Sequence, residues 1–243
     1  MFSKGAVGTN SEHIKHMRHQ TTVPPAAYTM VREAMVDELR SRGIDDMLVL
    51  RAMSIVPREE FVEAAFRHQA YTDNPLPIGC GQTISQPYTV AAMSQALCAE
   101  PGMRVLEVGT GSGYQSAVLF MMGLQVFTIE RHAALLDLAR PNLERAGCDV
   151  VTHFGDGSIG WSMFAPYDRI IVTAGSPSVP SALLKQLAPD GRLVVPTGSR
   201  TSQRLEVITR RGATSEYDVF DHGEFKFVPL IGRSGWAGSE GRE

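Results

Sequence analysis

The sequence predicts an α/β fold: a doubly wound, mostly parallel sheet, preceded by a helical cap and finished by antiparallel strands. Three observations carry this. Val105–Val108 is a short apolar run that leads into glycines on alternate positions, Gly109, Gly111 and Gly113, and a helix-permissive stretch from Gln115 to Met122 follows at once. That is a strand, a tight turn and a helix. Further strand-like runs at Gln125–Ile129, Asp149–Phe154, Asp168–Gly175 and Gly191–Pro196 alternate with helical patterns, the rhythm of parallel strands joined by crossover helices. Beyond Gly198 the rhythm changes: Arg204–Thr209 and Tyr217–Phe220 read as antiparallel strands, and Asp221–Pro229 as one more edge.

Taken in order, residues Met1–Ala27 show no sustained apolar period and contain Pro24-Pro25, so a mobile extension is expected. Its basic run, His13 to His19, reads as a solvated feature rather than a metal or acidic-partner site. From Tyr28, Val31, Ala34, Met35 and Leu39 recur on one helical face until Gly43. A second helix is expected over Asp46–Met53 with Asp45 as its cap, and a short one from Pro57. Tyr71–Tyr88 reads as an irregular loop, because two prolines and two glycines fall within seven residues. Ser85 or Gln86 would cap the next helix, with Pro87 in its first turn. Thr83 and Ser85 could instead line an anion site at that helix start; on spacing alone, capping is preferred. Later helices are expected over Ala133–Ala146, interrupted by Pro141, and over Val179–Ala188. The expected organisation is one domain over 28–236: cap and loop to 98, a core over 99–200, antiparallel strands over 201–236, and a loose tail from 237.

Composition narrows the class. A formal charge of −3 argues against a broad nucleic-acid footprint. Cys80, Cys98 and Cys148 are odd in number and lack metal-ligand spacing, which fits a reducing cytoplasm. No apolar run approaches the ~20 residues of a membrane span. No metal site, H-E-x-x-H or G-x-S-x-G signature is found, and His132 and His153 read as ordinary residues. A soluble cytoplasmic monomer is expected.

The glycine spacing restricts the ligand. A dinucleotide fingerprint would need its third glycine where Tyr114 stands, and no Gly-Lys-Ser/Thr marks a P-loop. Glu107, two residues before Gly109, suits a cationic ligand and repels a pyrophosphate. Glu130 lies 21 residues after Gly109, close to the ~20-residue offset at which an acid meets ribose hydroxyls. Gly155-Asp156-Gly157 follows a strand and could meet an adenine, although a simple turn would use the same tripeptide.

The pattern E-x-G-x-G-x-G resembles the first motif of S-adenosylmethionine-dependent methyltransferases. Joined to Gly79-Cys80-Gly81-Gln82-Thr83-Ile84-Ser85-Gln86-Pro87-Tyr88, to Phe154–Gly157, to Tyr167–Ala174 and to Phe227–Gly232, it closely resembles the protein-L-isoaspartate O-methyltransferase family from about Tyr28 to Trp236. Departures are the N-terminal extension, Cys80 where the family often has Tyr, and the glycine-rich tail. The resemblance implies a Rossmann-like, class I methyltransferase fold. It implies S-adenosyl-L-methionine as cofactor, S-adenosyl-L-homocysteine as product, and isoaspartyl-containing peptides and proteins as substrates. It also implies residue roles. Ser85 and Thr83 serve catalysis, and Ile84 in the same loop meets the cofactor. Glu107 and Gly109 hold its methionine end, Glu130 its ribose, and Asp156 with Gly157 its adenine, while Thr110, Gly111 and Gly113 also bind the cofactor. The alternatives are a methyltransferase of an RNA base, small acid or biosynthetic peptide aspartate, a nicotinamide-dependent oxidoreductase, and an inactive cofactor-binding regulator. Neutral-to-acidic composition disfavours RNA, and Tyr114 and Glu107 disfavour the oxidoreductase.

Overall fold

The computed structural model describes residues 25–238; the expectations for 1–24 and 239–243 lie outside them. Helix α1 (Pro25–Ser41) opens on Pro25, three residues before the expected Tyr28, because proline suits a first helical position where no N–H is required. Helix α2 (Met47–Ile55) is capped by Asp46 rather than Asp45, its carboxylate accepting from the N–H groups of Leu48 and Val49. A 3-10 turn over Arg58–Phe61 follows Pro57, in place of the short helix expected there, and a second covers Ala64–Gln69.

The stretch read as an irregular loop contains a hairpin. Strand β1 (Leu76–Gly79) pairs antiparallel with β2 (Gln82–Ile84). Cys80, at φ +51°, turns the corner in the left-handed region, and its flanking glycines hid two short strands behind a breaker signal. Helix α3 (Pro87–Ala96) then starts on Pro87, but no side chain of Ser85 or Gln86 caps it. Asp73 does so from 15 residues upstream, Oδ1 accepting from Tyr88 N at 2.8 Å while Oδ2 accepts from Arg42 at 2.6 Å and from the Gln86 amide at 3.3 Å. Capping is therefore not what Thr83 and Ser85 do.

The main sheet has seven strands in the order β5-β4-β3-β6-β7-β8-β9. Strands β3 (Arg104–Val108), β4 (Gln125–Glu130), β5 (Val151–Phe154), β6 (Tyr167–Val172) and β7 (Leu187–Gly198) run parallel, and β8 (Gln203–Arg210) and β9 (Tyr217–Phe225) return antiparallel. Helices α4 (Tyr114–Met121) and α5 (Ala133–Arg145) cross between the first strands, and α5 passes through Pro141 as one element rather than two. The expected helix over Val179–Ala188 shrinks to α6 (Ser181–Leu184). Leu187 pairs with Tyr167 instead, and a register shift with Asp190 at φ +57° lets β7 begin early. The extra edge expected over Asp221–Pro229 is absent among the described residues: β9 runs on to Phe225, and Pro229 makes an isolated bridge to Gly175.

Both faces of the central strands are buried, with side chains alternating between two clusters, whereas the edge strands β5 and β9 are largely exposed. On β3, Val105 joins the helical-cap cluster with Tyr114, Val118 and Leu119, whereas Leu106 and Val108 join the opposite one with Ile170, Val172 and Leu193. The direction of strand progression reverses between β3 and β6, which opens a crevice at their carboxyl ends. Asp73→Ala, which strips the α3 cap, is expected to lower the unfolding free energy by about 1–2 kcal/mol; a urea titration with an unchanged slope would register it.

Candidate active site

The crevice encloses ≈ 970 Å³, its open mouth included, and is lined from β1 and β2, from the glycine bend after β3, from the ends of β4 and β6, and from Val228–Ile231. It thus gathers Thr83, Ile84, Ser85, Gly109, Thr110, Gly111, Glu130 and Gly157 into one cleft, eight of the eleven residues singled out from the sequence. Glu107, Gly113 and Asp156 stand outside its lining.

Strand β3 ends by a specific device. Gly109 N–H donates to the Ile129 carbonyl at 2.8 Å, and Thr173 Oγ1 donates to the carbonyls of Val108 at 3.0 Å and Gly109 at 2.8 Å. At φ +101°, a Cβ on Gly109 would run into Thr173 Oγ1, so the bend needs glycine to keep this floor open. Gly113 serves packing instead. At φ +92° it opens α4, and a Cβ there would lie 3.1 Å from Leu143 on α5, away from the cleft.

Glu130 is 5% exposed and held from two sides. Its Oε2 accepts from Gly111 N at 3.0 Å and its Oε1 from His132 N at 2.9 Å. Each oxygen keeps a lone pair for a further donor, so two vicinal hydroxyls could be taken together. Backbone N–H groups and a fixed carboxylate at one end, with Val228, Leu230 and Ile231 opposite, fit a ribose and an apolar ring better than a pyrophosphate. The cleft therefore fits S-adenosylmethionine on its own donor set.

Glu107 lies elsewhere than its sequence position implied. Period-two alternation turns it to the side of Val105, beneath α4, where it is fully buried and accepts from the Ser116 hydroxyl. Burial pushes its carboxyl up to about 8, with the Ser116 and Thr128 hydroxyls opposing and Glu130 adding to the rise. Among the described residues its Oε1 has no hydrogen-bond partner. Asp156 is engaged with its own chain, Oδ1 accepting from Ser158 N and Oγ, and Oδ2 from Arg233 N at 2.8 Å. Burial acts to raise its pKa, but these donors outweigh it and hold the group below its ordinary value.

Thr83 is exposed and Ser85 half-buried, and among the described residues neither hydroxyl is used in a protein hydrogen bond. Two hydroxyls free to donate thus face a glycine bend across one cleft. A sequence profile described as Protein-L-isoaspartate(D-aspartate) O-methyltransferase (PCMT) matches residues 30–235. The chain belongs to this family. A protein-L-isoaspartate O-methyltransferase 2 from Marinobacter nauticus is 52% identical over 209 residues, covering 85% of this chain and 95% of that one. A Methylorubrum extorquens protein-L-isoaspartate O-methyltransferase is 53% identical over 201 residues, covering 82% and 88%. Among solved structures, a protein-L-isoaspartate O-methyltransferase superposes with a TM-score of 0.76 at 30% identity, covering 84% of this chain and 67% of that one. A putative isoaspartate methyltransferase from Plasmodium falciparum, in complex with S-adenosyl-L-homocysteine, gives 0.72 at 25% identity, covering 82% and 98%. Family membership sets the nicotinamide alternative aside.

Within this methyltransferase, sequence reading missed Thr173 and the segment Phe227–Trp236. That segment forms a strap over the cleft, pinned where Gln203 Oε1 accepts from Phe227 N at 2.8 Å, where Gly175 N donates to the Val228 carbonyl and Leu230 N to the Gly175 carbonyl, and where Trp236 Nε1 donates to the Gly175 carbonyl at 3.1 Å. Phe227–Gly232 matches the family in sequence but carries no role there, since Pro229 and Gly232 give no periodic signal.

The raised Glu107 pKa has a sign that can be tested. Between an ordinary value of 4.5 and about 8 the folded protein holds a proton that the unfolded chain has lost. Stability should therefore fall as pH rises through that window, by no more than about 1.4 kcal/mol per pH unit. Glu107→Gln should flatten that slope in denaturant titrations repeated across pH.

Proposed function

We propose that the protein transfers a methyl group from S-adenosylmethionine to the α-carboxylate of L-isoaspartyl residues in damaged proteins and peptides, as its family membership implies. What supports the residue roles is that the free hydroxyls of the β2 end line the same cleft as the glycine bend and Glu130. When bound, S-adenosylmethionine supplies a methyl group on a positively charged sulfur.

The chain's own residues do the rest. Glu130 accepts from the ribose hydroxyls, its two oxygens already oriented by backbone donors. Gly157, with Asp156 beside it, borders the adenine, and the strap at Val228–Ile231 excludes water from that end. Gly109, Thr110 and Gly111 accommodate the amino-acid end, with Ile84 across from them; Gly113 sets the start of α4, and Glu107, buried beneath and protonated at neutral pH, braces the bend from below through the Ser116 hydroxyl. The substrate carboxylate is ionised at neutral pH and needs no general base. Ser85 and Thr83 donate hydrogen bonds to it and fix its approach, with no covalent serine intermediate. Alignment of this kind is worth up to about 7–11 kcal/mol. Because charge is neutralised during transfer, a dry cleft favours the step. The ester formed then closes to a succinimide without the enzyme, and hydrolysis returns part of the chain to a normal aspartyl linkage.

We infer a monomer in the cytoplasm, the location being supported by three free cysteines. No described helix is long and apolar enough to cross a membrane.

Labelled methyl transfer to paired isoaspartyl and aspartyl peptides tests the assignment: base-labile product is expected from the first alone. Ser85→Ala should reduce kcat/KM at least about tenfold, the size of one hydrogen bond to a charged group, while S-adenosylhomocysteine affinity by calorimetry stays within about twofold. Undiminished turnover would remove Ser85 from the mechanism.

A further inference from the structure

Arg58 is the largest fully buried side chain in the molecule's described part, 0% exposed. Its Nε donates to the Ala70 carbonyl at 2.6 Å and its Nη2 to the Ser85 carbonyl at 2.8 Å. One guanidinium thus closes both ends of the segment that carries the hairpin, Thr83 and Ser85. The same group lies over the ring of Tyr114, 4.7 Å from its centre, at the residue where the glycine bend becomes α4. Its planar fork suits two diverging carbonyls, which a lysine ammonium cannot reproduce.

The charge is unusual as well as the geometry. Among the described residues Arg58 forms no ion pair, for the neighbouring Glu59 is taken by Arg32 at 3.1 Å and by the Tyr71 hydroxyl. Its Nη1 has no hydrogen-bond partner. A guanidinium stays protonated even when buried; the Asp73 carboxylate acts on it through space but is bonded to Arg42, Gln86 and Tyr88, and a buried charge without a bonded counter-ion is costly to the fold. Retaining one directly behind Ser85 makes sense where an anion arrives to answer it.

We propose that Arg58 is the positioning residue of the transfer reaction: it holds Ser85 in register with the glycine bend, and its buried charge is answered by the carboxylate of the bound substrate. This rests on the isoaspartyl reading above. Arg58 acts through the Ser85 peptide unit and through its field, without touching the reacting atoms. Removing it therefore weakens recognition of a negative substrate more than recognition of a neutral look-alike.

The test uses Arg58→Met and Arg58→Lys in the full chain, with three measurements: KM and kcat for an isoaspartyl peptide, the inhibition constant of the same peptide bearing a carboxamide in place of that carboxylate, and S-adenosylhomocysteine affinity. In Arg58→Met the carboxylate peptide should lose at least about tenfold in KM, in keeping with loss of a charged partner. The carboxamide should move less than about twofold, so the ratio between them collapses. Arg58→Lys, which keeps the charge but not the fork, should retain most of the ratio and lose kcat. Equal weakening of both peptides in Arg58→Met, or an unmoved ratio, overturns the charge assignment and leaves a merely structural arginine. Should Arg58→Met fail to fold, Arg58→Lys decides alone: native kcat there overturns the positioning role, and lost kcat with a kept ratio supports it. Absence of methylation by the unaltered protein would instead defeat the functional reading itself.

Discussion

How β3 stops governs the rest of the molecule. A strand buried on both faces leaves its last carbonyls with nowhere to go once pairing ends. Here Thr173, on the neighbouring strand end, takes the carbonyls of both Val108 and Gly109, and Gly109 gives its own N–H to Ile129. The backbone is satisfied while bending sharply away, so the ends of three strands surround an open floor instead of a packed turn. Glu130 faces that floor because its carboxylate is bonded to Gly111 on the bend itself. The floor of the cleft and the carboxylate beside it are thereby tied to one piece of backbone geometry.

The opposite wall is held by a different means. No sheet supports the hairpin of β1 and β2, which is a two-stranded unit of its own, and such a unit is marginal in isolation. Its order comes from polar anchors at its base. Asp73 secures α3 and Arg42, Tyr71 sits in the Arg32–Glu59 pair, and Arg58 takes carbonyls from both sides. Apolar contact completes it, with Ile78 and Ile84 each 4% exposed. A hydroxyl-bearing segment is thus kept rigid on a scaffold outside the main sheet.

The strands, the glycine bend and Glu130 were legible because each rests on a local pattern: an apolar run, a glycine triplet, an acid at a fixed offset. Glu107 was legible as a site-adjacent acid but not in its orientation, since proximity along the chain ignores the alternation that turns it under α4. Thr173 carried no signal, being one more small residue at a strand end. Arg58 was hidden by company. Flanked by Glu59 and Glu60, it has the look of solvated surface, and only tertiary structure buries it. The hairpin was concealed by the very residues that make it, because Pro75, Pro77, Gly79 and Gly81 read as breakers. The shortened α6 failed for the converse reason: Leu183, Leu184 and Leu187 imitate a helical face, while strand pairing with Tyr167 claims the last of them.

The two tryptophans sit in different surroundings. Trp161 is stacked on His153, with ring centres 4.6 Å apart, and meets Phe127 and Phe164 edge-on, on the side of the sheet away from the helical cap. Trp236 ends the strap, with the Arg200 guanidinium 4.8 Å from its ring centre. One indole thus senses the far-side aromatic cluster and the other senses the cover of the cleft. The molecule carries two intrinsic fluorophores, and replacing Trp161 by Phe would leave Trp236 as the single optical reporter on the strap over the cleft.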